Sequence, residues 1–149
     1  MQMTQASPLS RKTWMATLAK AAPARLAALF PDLPPHAVLR QPEIGAVMVR
    51  GRVGGTGVPF NLGEMTVTRA SVRLASGEVG HAWVQGRDKL HALRAAAVDA
   101  LMQTDRADGL TAQVLRPLEV DARTHREIRA AKAAGTKVDF FTMVRGEDK

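Results

Sequence analysis

Three stretches of the sequence combine residue types that could hold or transform a ligand. The first is Gly54-Gly55-Thr56-Gly57. Glycine-rich loops cradle phosphates because backbone N–H groups can turn toward an anion with no Cβ in the way. A P-loop needs Lys and Ser or Thr directly after its last glycine, whereas Val58-Pro59-Phe60 follow Gly57. A dinucleotide fingerprint runs on into a helix, and here a strand-like stretch follows. The loop therefore reads first as a tight turn or subunit contact and only second as an anion site. The second stretch is Arg87-Asp88-Lys89, with His91 and Arg94 about one helical turn further on. Free N–H groups and the dipole at a helix start favour anions, so this junction could hold a phosphate. The competing reading is a capped, solvated helix start. The third is the apolar group Phe140, Phe141, Met143 and Val144, followed by Arg145. It packs either into its own domain or onto another subunit.

The remaining candidates are scattered. His36, His81, His91 and His125 include no pair at the i, i+4 spacing of a helical metal site. They read as polar surface or hydrogen-bonded partial core, and no metal is expected. Glu64 follows the glycine loop, Asp88 fits a helix cap, and Asp99 lies on a long helix. No local signature of a catalytic triad links them, and no catalytic residue is assigned. With no cysteine in the chain, disulfides, thiolate metal sites and a Cys nucleophile are excluded.

Several elements must position these residues. Ser10 fits the N-cap of a helix over "SRKTWMATLAKAA", which places Trp14, Met15 and Leu18 on one side. Pro23 interrupts it, and "ARLAALF" forms a second short helix that stops before a Pro-rich joint at residues 31–35. Four strand-like segments follow: "HAVLRQ", "GAVMVRGRV", "EMTVTRASVRLA" and "EVGHAWVQG". In the third, Met65, Val67 and Arg69 share one face. Short connections predict an antiparallel four-stranded meander. The long helix "RDKLHALRAAAVDALMQTD" carries a stripe of Leu90, Leu93, Ala97 and Leu101, with Gly109 as its stop. A C-terminal helix is expected from Asp121 as cap to Gly135 as C′ residue, then the apolar tail.

At 149 residues the chain fits one α+β domain spanning 1–149, with residues 1–9 disordered. No apolar run approaches the roughly 20 residues that span a bilayer, and the N-terminus lacks a signal-type stretch. A cytoplasmic location is expected. The net charge of +7 comes mostly from Arg, 15 of 21 basic residues, spread from Arg11 to Arg145. Such dispersal argues against a dedicated nucleic-acid arm, which concentrates its charge.

Four segments, "GGTGVPFNLGEMTVTRASVRL", "WVQGRDKLHA", "DALMQ" and "VDFFTMVRG", stand in the order and spacing seen in the PhnG family of the bacterial carbon–phosphorus lyase system. The resemblance runs from about Trp14 to Gly146 and is looser up to about Gln41. It implies a cytoplasmic core complex with PhnH, PhnI and PhnJ in a two-fold hetero-oligomer, assisted by PhnL. In that complex methylphosphonate displaces adenine from ATP, giving ribose 1-methylphosphonate 5-triphosphate, and PhnJ later breaks the carbon–phosphorus bond. The resemblance carries no catalytic residue or chain-bound cofactor to this subunit, with ATP a substrate of the whole assembly. Its leading implication is an accessory subunit that uses Gly54, Gly55, Thr56, Gly57, Phe140, Phe141, Met143 and Arg145 as contacts. The rival is a subunit that lends Arg69, Arg87, Lys89 and His91 to phosphate in a shared site. A free-standing nucleic-acid binder rests on basic charge alone.

Overall fold

Alanine and glycine decide how this chain packs. A computed structural model describes residues 9–141. Two short helices, α1 (Arg11–Lys20) and α2 (Pro23–Leu29), precede three antiparallel strands in the order β1-β2-β3. These are β1 (His36–Arg52), β2 (Pro59–Leu74) and β3 (Val79–Gln85). Helix α3 (Lys89–Leu101) then crosses the sheet, followed by α4 (Ala107–Leu110), a π turn at Thr111–Leu115 and α5 (Arg116–Gly135). Ser10 caps α1 by accepting from the Thr13 N–H, and Pro23 begins α2 instead of merely ending α1, since a first-turn proline sacrifices no hydrogen bond.

The sheet has three strands, not four. "HAVLRQ" and "GAVMVRGRV" are two parts of one 17-residue strand. Pro42 suggests a break, yet β1 is an edge strand, where a missing N–H is tolerated. Bulges between Val38 and Arg40 and between Arg40 and Glu43 leave Gln41 and Pro42 without partners and let the ladder resume at Glu43↔Arg69. β2 also starts earlier than its alternation suggests, at Pro59 instead of Glu64.

Even-numbered residues of β2 (Thr68, Ala70, Val72, Leu74) and of β3 (Ala82, Val84) face inward and are buried. Of the expected stripe on α3, Leu90 stays exposed, Leu93 packs partly buried against the core, and Ala97 and Leu101 are buried. The helix also buries the small residues Ala92, Ala95, Ala96 and Ala100. The reason is proximity: a Cβ on Gly80 would lie 1.8 Å from the Ala96 carbonyl oxygen. Only small side chains let helix and strand approach so closely. Trp14, Leu18, Leu26, Phe30, Leu110, Val114, Leu115 and Leu118 complete the core.

Gly109 does not stop a helix and Asp121 does not start one. The C-terminal helical run begins at Ala107 and widens into the π turn just before Pro117. A proline ring clashes with the carbonyl four residues earlier in a regular helix, and the wider turn accommodates it. Asp121 instead pairs with Arg25 of α2 at 2.8 Å. The expected disorder falls outside the described residues except at Leu9, which packs against the core.

Candidate functional site

The four phosphate candidates do not converge. Arg69 lies on the outer sheet face, opposite α3, with Nη2 2.9 Å from Glu43 and the guanidinium 5.5 Å from the Trp83 ring centroid. Arg40 joins the same carboxylate at 3.1 Å, and the Arg69 hydrogen bond holds Glu43 below the ordinary carboxylate value. Beside this cluster an open cavity of about 260 Å³ is lined by Glu43, Ile44, Gly45, Ala46, Val67, Arg69 and Trp83.

His91 lies on the other side of the sheet and is only 1% exposed. Its Nε2 stands 2.8 Å from the Leu18 carbonyl, which requires that nitrogen to donate. Burial pushes the imidazole below its ordinary value of 6.5, with the Leu18 contact and Asp88 opposing. Asp88 caps α3 by accepting from the His91 N–H at 2.9 Å, so the helix start already holds a carboxylate. Arg87 and Lys89 remain exposed there, with no ion-pair partner among the described residues.

The neutral buried imidazole gives a pH dependence of defined sign. The folded chain keeps His91 unprotonated while the unfolded chain binds a proton as pH falls through 6.5. This contribution is complete above 6.5 and is lost as pH drops toward the depressed folded value. The urea unfolding free energy is expected to fall as pH drops below about 6.5 toward the depressed folded value, and His91→Gln to flatten that slope. An unchanged slope in the variant would assign the dependence to other groups.

Sequence reasoning missed the polar centre of the fold. Asp99 is fully buried and accepts from Arg11 Nη2 at 2.7 Å, Arg11 Nε at 3.1 Å, Trp14 Nε1 at 2.8 Å and the His81 backbone N–H at 2.9 Å. An aspartate within an alanine-rich helix interior was the one available signal. Ser71 Oγ and His81 Nδ1 are 2.7 Å apart on the exposed face, but Asp99 takes the His81 main chain and not its ring. The three do not form a triad. Among the described residues no group of three His, Asp or Glu could hold a metal.

The glycine loop is a turn. Val53–Gly55 form one 3-10 turn with Gly54 and Gly55 at φ 61° and 85°, and the Gly57 N–H donates to the Val53 carbonyl at 2.8 Å. Gly54, Gly55, Thr56 and Gly57 cap a two-stranded ribbon of β1 and β2 that runs beyond the end of β3, whose register stops at Val67↔Gln85. Met48, Val58 and Leu62 on that ribbon are exposed, Leu62 by 65%. Phe140 and Phe141 are 91% and 89% exposed, so neither packs into the core of this chain. Met143 and Arg145 lie outside the described residues.

By sequence, this small α+β body with its exposed apolar ribbon falls in a family of proteins of phosphonate metabolism. The family described as "Phosphonate metabolism protein PhnG" matches residues 9–146, and the chain belongs to that PhnG family. A relative from Rhizobium meliloti (strain 1021), named alpha-D-ribose 1-methylphosphonate 5-triphosphate synthase subunit PhnG, is 53% identical over 121 residues, covering 78% of this chain and 75% of that protein. No helix among the described residues is long and apolar enough to cross a membrane.

Proposed function

We propose that the chain is a subunit of alpha-D-ribose 1-methylphosphonate 5-triphosphate synthase. It serves the transfer of ribose triphosphate from ATP to methylphosphonate, with release of adenine, in cytoplasmic phosphonate catabolism. The observation that carries this reading is the 53% identity to a relative bearing that name over three quarters of its length. The role is accessory, with the chemistry on a partner, and the partners are PhnH, PhnI and PhnJ in a two-fold assembly, with PhnL acting alongside. In support, the ribbon exposes Met48, Val58 and Leu62 with no covering element of its own. Apolar surface of this kind is characteristic of interfaces.

Co-expression with the other subunits, one of them tagged, tests the assignment. The chain is expected to co-purify, and its absence from the complex would sink the reading. Leu62→Asp is expected to lower recovery about tenfold while leaving the unfolding midpoint of the chain in place. Undiminished recovery would remove the ribbon from the interface.

A second reading, direct phosphate contact, draws on Arg87 and Lys89, exposed and without an ion-pair partner among the described residues. Under the accessory role, Arg87→Ala and Lys89→Ala leave adenine release by the assembled complex unchanged. A fall of about tenfold or more with assembly intact would transfer those residues to the shared site.

A further inference from the structure

The distal half of α5 has no packing partner among the described residues. Leu118 is the only buried residue of this 20-residue helix, and every position from Arg123 to Gly135 is exposed. Helices in proteins gain most of their stability from a packed apolar face, and this half packs on none of the described residues.

Its sequence is nevertheless patterned. At about 100° per residue, Val120, Thr124, Ile128 and Ala131 fall within a sector of about 80°. Val120 and Ile128 are 53% and 51% exposed, so this stripe faces solvent. Arg123, Arg126, Arg129 and Lys132 occupy the rest of the circumference, spread over about 180°. None of the four has a salt-bridge partner among the described residues, and Glu127 is the single acid of α5 beyond Asp121.

We infer that the distal half of α5 lies in a groove on a partner protein whose floor is apolar and whose rims carry carboxylates. The inference rests on the reading of this chain as a subunit. A helix with one apolar stripe flanked by cations is the complement of such a groove. The same pattern fits two other surfaces less well. A bilayer surface needs a broader apolar face with Trp, Phe or Leu, and beyond Leu118 α5 carries none of these. Nucleic acid would engage the cations and leave Val120 and Ile128 in water.

The test is recovery of the chain through a tag on another synthase subunit at about 0.15 M salt, comparing wild type, R123Q/R126Q/R129Q and I128D. Glutamine is a good helix former, and circular dichroism checks that helix content is kept. Both variants are expected to lower recovery about tenfold or more, the glutamine variant regaining nothing when salt is reduced while the residual wild-type binding strengthens. Wild-type recovery with both variants retained equally would overturn the groove and leave the subunit reading standing. Failure of the wild type to co-purify would overturn both. The complex is also presented with phosphatidylcholine–phosphatidylserine vesicles and with duplex DNA. Unchanged subunit recovery, with variant-sensitive binding to either probe, would overturn the groove and place the helix on that surface instead.

Discussion

Asp99→Ala is expected to destabilise the chain by about 3–5 kcal/mol, a large share of the roughly 5–15 kcal/mol that a domain of this size possesses. The side chain is fully buried and takes four hydrogen bonds from three directions: Arg11 and Trp14 on α1, and the His81 main chain on β3. Its removal strands the Trp14 indole N–H and the His81 amide without acceptors, at about 1–3 kcal/mol for each buried donor. Arg11 is a lesser matter, because its side chain is 44% exposed and can turn to water. Arg11→Ala is therefore expected to cost less than Asp99→Ala. Asp99→Asn is no rescue, for its amide would set N–H donors against the donors already gathered there. Urea denaturation of the three variants checks the ranking. A loss below about 1 kcal/mol for Asp99→Ala would show that the hub is not what fastens α1 to the sheet.

Gly80→Ala is expected to be comparably damaging through packing alone. The added Cβ would stand 1.8 Å from the Ala96 carbonyl oxygen and 2.6 Å from the Ala100 nitrogen, both main-chain atoms of α3. No rotamer change relieves a clash with backbone, so the helix must lift from β3 and loosen its alanine face. A loss of about 3 kcal/mol is expected. Gly45→Ala is the matched control, since a Cβ at Gly45 meets nothing within 4 Å. Equal stability of the two variants would contradict the close approach of β3 and α3.

Local chemistry in the sequence foretold the parts of the fold that depend on neighbours in the chain. Ser10 and Asp88 are caps because their oxygens reach an N–H three residues on, and the alternation of β2 follows from its half-buried pleat. What escaped depends on distant partners. Pro42 looks like a terminator until β1 is known to be an edge strand with bulges beside it. Leu90 looks like part of the core stripe, yet it is exposed, and the close approach at Gly80 favours alanine on the facing helix. The candidate site escaped for a related reason. Arg69 and His91 share a plausible chemistry, but the sheet lies between them, and the strand register that separates them is not written in residue spacing. Asp99 gathers partners 88, 85 and 18 residues away, beyond any local signature.

The π turn at Thr111–Leu115 absorbs one residue within the C-terminal helical run. A π turn closes over one residue more than an α turn, so deleting one residue there would restore ordinary α-helical spacing and leave the axis and facing of α5 nearly in place. Deleting one residue from the regular helix of α5 would instead rotate everything beyond it by about 100° and draw it back by about 1.5 Å. Leu110 and Ile128 would both keep their directions in the first case, and only Leu110 in the second. The turn is thus the one place in the C-terminal helical run where a residue of length can be gained or lost without changing which way the outer helix faces.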